Sequence, residues 1–72
     1  MESDAPYSEH ENAKFLRIVS RADVPELRSM LNEAQRKVML GVKRRAPCGY
    51  TAAERAVFYQ CELISRGESI NG

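Results

Sequence analysis

The sequence is poor in the residue types from which metal and redox sites are built. It contains one histidine and two cysteines among 72 residues. His10, Cys48 and Cys61 are too few and too far apart along the chain to form a zinc site. Neither cysteine belongs to a Cys-x-x-Cys pair, and two cysteines are too few for a disulfide framework. We therefore expect no metal or other cofactor and two reduced thiols, with Cys61 packed like a small apolar residue.

Patterns of catalytic residues are equally scarce. Gly41 and Gly49 belong to no glycine-rich phosphate loop. His10 falls in the first turn of a predicted helix, where a solvated surface role is a simpler interpretation than a base for a Cys48 nucleophile. The carboxylates are placed to cap helices or to pair with bases four residues away, and no acid pair suggests hydrolysis. We therefore predict a protein that is not an enzyme and has no catalytic residues or small-molecule substrate.

Long hydrophobic runs are absent as well. No apolar stretch approaches the roughly 20 residues of a membrane-spanning helix, and no apolar run follows a basic start as in a signal peptide. These features predict a cytoplasmic protein without membrane contact. The net charge is +1, but this value hides an asymmetry. Residues 1–12 carry only acidic charges, whereas residues 14–45 carry most of the basic ones.

What the sequence does contain is a consistent set of helix-start signals. In a capping box, the first and fourth side chains each satisfy a free backbone amide at a helix start. Three such boxes occur, at Ser8 and Glu11, at Asp23 and Glu26, and at Thr51 and Glu54. They predict a helix over about residues 9–22, a second that begins almost immediately after it and continues to about residue 44, and a third over residues 51–66. An alternative is that the second helix ends at Gly41. Gly67 is placed to cap the end of the third helix.

Each predicted helix has an apolar stripe at helical spacing. In the first helix the stripe is Phe15, Ile18, Val19 and Ala22, with Leu16 beside it. In the second helix it is Leu27, Met30, Leu31, Ala34, Val38 and Val42. In the third helix it is Ala53, Ala56, Val57, Cys61 and Ile64, with Leu63 at its edge. These stripes predict one helical domain over residues 8–67, between a flexible acidic N-terminus, residues 1–7, and a short tail, residues 68–72.

The predicted fold class is all-α, because no segment alternates apolar and polar residues as a half-buried strand would. The architecture is either a three-helix bundle or a long helical hairpin with an added N-terminal helix. Four large apolar side chains lie off the stripes, and they are Met39, Leu40, Phe58 and Tyr59. They either complete an irregular core or form a partner-binding patch. We favour the patch, and with it a protein partner or a homodimer, because small domains often gain stability by association.

A set of eight basic residues falls on the first helix and around the end of the second. They are Lys14, Arg17, Arg21, Arg36, Lys37, Lys43, Arg44 and Arg45. One interpretation is a solvated helix face whose last-turn cations complement the helix dipole. The other is an electrostatic patch for an acidic partner or for nucleic acid. No short turn presents a recognition helix, and Asn and Gln are scarce near the cluster, so we expect only weak, non-specific nucleic acid contact.

Two segments, FLRIVSRADVPELRSML at residues 15–31 and TAAERAVFY at residues 51–59, carry a family resemblance. The first resembles the opening two helices of the Hha/YmoA family of expression modulators, with Arg21 at a basic position of the first helix. The second is similar to the third-helix segment of that family. The resemblance implies a bacterial regulatory adaptor that docks on the dimerisation region of H-NS-type nucleoid proteins. Such an adaptor would modulate transcriptional silencing and contribute positive charge near DNA.

Residues 27–64 have the outline of a helical hairpin, with a long helix, a turn, and Tyr50 near the start of the second arm. This outline resembles the small needle co-chaperones of type III secretion. The resemblance implies a needle-subunit co-chaperone that forms a helical complex with a larger chaperone. Both resemblances imply a small helical protein–protein interaction module without enzymatic activity.

Overall fold

Three helices make up the described part of the chain. In the computed structural model, α1 spans Glu9–Arg21, α2 spans Val24–Met39 and α3 spans Ala52–Ser65. The structure describes residues 7–69, and this range contains no strand, which confirms the predicted all-α class. Residues 1–6 and 70–72 lie outside the described residues, and with them most of the predicted flexible N-terminus and short tail.

Of the three predicted capping boxes, the one at Thr51 and Glu54 is complete and the one at Ser8 and Glu11 is half formed, since the Ser8 amide donates to Pro47 instead. The Thr51 hydroxyl accepts a hydrogen bond from the amide of Glu54 at 3.2 Å, and the Glu54 carboxylate accepts one from the amide of Thr51 at 2.9 Å. The Ser8 hydroxyl accepts from a first-turn amide of α1 at 3.3 Å. Asp23 makes no side-chain capping bond, although Pro25 lies in the first turn of α2. A proline there leaves one amide fewer to satisfy, which favours a helix start without a side-chain cap.

Helix α2 ends at Met39, earlier than the favoured prediction of about residue 44. Gly41 has a φ of +83°, a conformation that glycine adopts without steric cost. The amides of Gly41 and Val42 donate to the carbonyl oxygens of Val38 and Lys37, both at 3.0 Å. These two bonds form a Schellman motif, which closes a helix. The favoured prediction of a helix to about residue 44 is therefore wrong, and the alternative end at Gly41 is correct. The amide of Val42 donates to the last turn of α2 and caps the helix, so Val42 does not extend it.

Helices α2 and α3 lie side by side and make most of the contacts between helices. They are antiparallel, since Arg28 near the start of α2 pairs with Glu68 beyond the end of α3 at 3.2 Å. Helix α1 packs mainly against α3. The buried apolar residues of the described chain are Phe15, Val19, Ala22, Leu27, Leu31, Ala34, Cys48, Ala52, Ala56, Tyr59 and Leu63. Those of α1 and α2 all belong to the predicted stripes, whereas Ile18, Val38 and Val42 remain exposed.

The buried face of α3 is not the predicted one. Its buried residues are Ala52, Ala56, Tyr59 and Leu63, which form a row at helical spacing. Of the predicted stripe only Ala56 is buried, while Val57 and Ile64 are 55% and 57% exposed and Cys61 is exposed. The helix is apolar on two sides, so its periodicity does not select between them. Burial of a tyrosine and a leucine removes more apolar surface from water than burial of a valine and a cysteine.

The loop between α2 and α3 attaches the start of α1. The amide of Ser8 donates to the carbonyl oxygen of Pro47 at 2.9 Å, and the Asn12 side-chain amide donates to that of Cys48 at 2.8 Å. The ring of Tyr7 lies against Gly49, where a Cβ would come within 3.0 Å of it. The loop therefore packs on α1 as a part of the core, with the Cys48 side chain buried.

The other end of α1 is attached by Arg66. Its guanidinium donates hydrogen bonds to the carbonyl oxygens of Ala22 and, at 3.0 Å, of Ser20. It also forms the predicted ion pair with Glu62, at 3.0 Å. The last carbonyl groups of a helix lack intrahelical partners and carry partial negative charge, so a cation at this position is doubly favourable. Arg66 thus links the end of α3 to the end of α1.

We expect Arg66→Ala to lower the free energy of unfolding by about 2 kcal/mol, because a hydrogen bond to a charged group contributes about 1.5–3 kcal/mol. The measurement is urea denaturation followed by circular dichroism. Arg17→Ala is the matched control, since Arg17 is exposed, and it should change stability by less than about 0.5 kcal/mol. Equal effects of the two substitutions would show that the contacts of Arg66 do not hold α1.

Candidate interaction surface

The most exposed large apolar residues of the described chain lie at the end of α2. Met39 and Leu40 are 86% and 74% exposed, which places two of the four predicted partner-binding residues at the surface. Both lie off the buried row of α2, and the turn at Gly41 carries the chain away before another helix covers them. We name the surface that these two residues form with Arg36, Lys37 and Lys43 the α2 corner.

The α2 corner combines an apolar tip with positive charge. Leu40, Arg36 and Lys37 line an open groove of about 470 Å³, completed by Ser29, Asn32 and Glu33. Arg36 and Lys43 are exposed, and Lys37 is half-buried. Such a surface can bury an apolar side chain of a partner while its cations pair with surrounding carboxylates.

The predicted basic residues do not all gather in one patch. Arg17 and Arg21 line a shallow groove with Glu26, at the start of α2. Arg36 follows Glu26 by ten residues on the same helix, which corresponds to about 15 Å. Lys14, Arg44 and Arg45 are also exposed. The positive charge of Arg45 is partly balanced by Glu54 at 3.4 Å, an exposed pair of small energetic weight.

The prediction that Tyr59 belongs to the docking surface is wrong. Tyr59 is 6% exposed, and its ring centroid lies 5.8 Å from that of Phe15. Phe58 is partly buried, and its ring packs edge-on against Phe15 at 5.4 Å and in a tilted arrangement against Tyr50 at 4.7 Å. Helix α1 and the preceding loop supply these aromatic neighbours, which the helical wheel of α3 alone does not show. Of the predicted patch, Met39 and Leu40 are exposed, Phe58 is partly buried and Tyr59 is buried.

A second apolar surface was not predicted as such. It consists of Ala53, Val57, Cys61 and Ile64, which we name the outer stripe of α3. The same residues were expected in the core because their spacing is helical. The available signal was that α3 has more apolar surface than one contact requires, and the structure shows which side remains uncovered.

The described residues show no grouping of three or more histidine, cysteine, aspartate or glutamate side chains suited to a metal ion. His10 is exposed in the first turn of α1. Within residues 7–69, no helix has the length and apolar character needed to cross a membrane. Comparison with models of protein families, with curated proteins and with solved structures finds no significant match to this chain.

Tyr59→Ala should lower the free energy of unfolding by about 3–5 kcal/mol, because it leaves a cavity where the three helices meet. Tyr59→Phe retains the ring and should change stability by less than about 1 kcal/mol. Thermal and urea unfolding of both variants would measure the difference. If Tyr59→Ala melts like the unsubstituted protein, its ring is not part of the core.

Burial raises the pKa of Tyr59 above its ordinary value of 10.0, although the charge of Arg55 partly offsets this effect. The unfolded chain therefore releases this proton at lower pH than the folded chain does. The stabilising contribution is complete below about pH 10 and declines as the pH rises further, with a slope of at most about 1.4 kcal/mol per pH unit. We expect the protein to lose stability faster than Tyr59→Phe above pH 10 in urea titrations. Parallel stability curves for the two proteins would contradict this assignment.

Proposed function

We propose that this chain is a small, non-enzymatic interaction module of the cytoplasm that binds a partner protein through the α2 corner. The observation that supports it most strongly is the exposure of Met39 and Leu40 beside several cations. Complete burial of a Met or Leu side chain contributes about 1.5–3 kcal/mol. The two side chains together are thus sufficient to anchor a partner, although a full interface needs further contacts.

The chemistry of the α2 corner describes the partner surface. An apolar pocket or helix face would receive Met39 and Leu40, and carboxylates around it would face Arg36, Lys37 and Lys43. Pairing between exposed charges is screened by salt, whereas burial of the apolar tip is not. Binding should therefore weaken with rising salt without being abolished by it.

The resemblance to the Hha/YmoA family gives this proposal a biological direction. It predicts a bacterial adaptor that binds an H-NS-type nucleoid protein and modulates gene expression. The exposed side chains of Lys14, Arg17 and Arg21 on α1 are compatible with weak phosphate contact in such a complex. The alternative is a type III secretion needle co-chaperone. The antiparallel packing of α2 on α3 favours this second candidate, since it has the hairpin outline of that class.

The test is affinity capture from the native host with three forms of the protein. These are the unsubstituted chain, the double variant Met39→Ser with Leu40→Ser, and the control Leu16→Ser, which alters an exposed leucine of α1. A partner should co-purify with the first and third forms and be lost from the double variant. Urea denaturation should show that the double variant retains its fold, because both side chains are already exposed in the monomer.

Titration of the captured partner then measures how much the double substitution weakens binding. We expect the double variant to bind at least tenfold more weakly, a loss of about 1.4 kcal/mol or more. A nucleoid protein among the captured proteins would support the adaptor, and a larger helical chaperone would support the alternative. If every captured protein binds the double variant as well as the unsubstituted chain, the α2 corner is not the docking surface.

A further inference from the structure

The outer stripe of α3 is a continuous apolar row on the surface of the monomer. Val57 and Ile64 are 55% and 57% exposed, and Ala53 and Cys61 are exposed as well. These positions recur every three or four residues, so they lie on one side of the helix along about 16 Å. The buried row of Ala52, Ala56, Tyr59 and Leu63 lies on another side of the same helix. Helix α3 can therefore contact α1 and α2 and a further element at the same time.

The outer stripe differs from the other exposed helix faces in its lack of charge. Gln60 and Ser65, which border it, are neutral. Glu54, also at its border, is occupied by the capping box with Thr51 and by Arg45 at 3.4 Å. The exposed faces of α1 and α2 carry several lysines and arginines in contrast. A row without charge offers nothing to a charged partner, but it is electrostatically compatible with an identical row.

We propose that two copies of the chain pair through the outer stripe, with their α3 helices antiparallel. Antiparallel pairing about a two-fold axis near residues 58 and 59 places Ala53 opposite Ile64 of the second copy and Val57 opposite Cys61 of the second copy. Each small side chain then faces a larger one. Parallel pairing would instead place Ile64 against Ile64 and Ala53 against Ala53, which crowds one end and leaves a gap at the other.

The symmetry of the contact is consistent with a dimer. A two-fold interface is isologous, so one surface must complement itself, as the outer stripe does in the antiparallel arrangement. A standard interface takes about 800 Å² from each partner. That area is about one sixth of the 5116 Å² accessible surface of the described chain. A domain of this size would gain stability from the pairing.

The first experiment measures the mass of the full chain in solution by sedimentation equilibrium. At concentrations of tens of micromolar, we expect the unsubstituted protein at twice the 8.1 kDa chain mass. Val57→Glu, which places a charge in the centre of the outer stripe, should reduce the measured mass to that of a single chain. Leu16→Glu on α1 is the matched control and should remain a dimer. A monomeric unsubstituted protein, or a Val57→Glu variant that still dimerises, would overturn the proposal.

The second experiment tests the orientation with disulfide cross-linking by copper phenanthroline. Val57→Cys introduces a thiol that the antiparallel pair places opposite the native Cys61 thiol of the second copy. This variant should cross-link at least several-fold more than the unsubstituted protein. The double variant Val57→Cys with Cys61→Ser lacks the opposing thiol and should not show this increase. Cys48 is buried and does not compete. Efficient cross-linking of the unsubstituted protein would indicate parallel helices with adjacent Cys61 thiols and would overturn the antiparallel arrangement.

The two proposals fail separately, because they rest on different residues. Loss of the dimer in Val57→Glu leaves Met39 and Leu40 in place, and loss of the partner in the Met39 and Leu40 double variant leaves the outer stripe unchanged. Mass measurements on the double variant and partner titrations with Val57→Glu therefore distinguish an incorrect dimer from an incorrect α2 corner.

Discussion

The contact between the Phe15 ring and the aromatic rings of α3 is the interaction on which the arrangement of the molecule depends. Phe15 lies within 6 Å, between ring centroids, of Tyr50, Phe58 and Tyr59. Aromatic pairs at this separation contribute beyond the area that they bury. This cluster holds Tyr59 toward the inside and, together with the packing of α2, decides which side of α3 is buried. The outer stripe is exposed because the other side of the helix is occupied.

Helix α1 makes few contacts with α2, so its attachment depends on its two ends and on Phe15 between them. At the first end it is bonded to the carbonyl oxygens of Pro47 and Cys48, and at the second end to Arg66. The result is a thin molecule, with Cα extents of 41, 27 and 14 Å. A layer of this thickness cannot cover both sides of every helix, which explains why apolar residues remain at its surface.

The two apolar surfaces differ in chemistry, and this difference supports the separate roles that we propose for them. The α2 corner has a pair of large flexible side chains beside cations, which suits a partner with acidic residues around an apolar site. The outer stripe of α3 is uncharged and alternates small and large residues, which suits a copy of itself. A small domain with one surface for its own copy and one for another protein is a simple basis for an adaptor.

The sequence by itself determined the helices, because capping boxes, Pro25 and Gly67 act within a few residues of where they stand. It also determined most of the buried rows of α1 and α2, since all the buried residues of those helices belong to the predicted stripes, although Ile18 and Val38 of the same stripes are exposed. Only the tertiary structure decided the buried face of α3, the burial of Tyr59 and the exposure of Cys61. The helical period of α3 is satisfied by either apolar side, and the selection depends on α2 and on Phe15, which are distant in sequence. The end of α2 at Gly41 was one of two predicted alternatives, and the cap formed by Val42 decided between them. Local signals in the sequence therefore placed the helices, whereas the packing of the helices against one another decided which surfaces remain exposed.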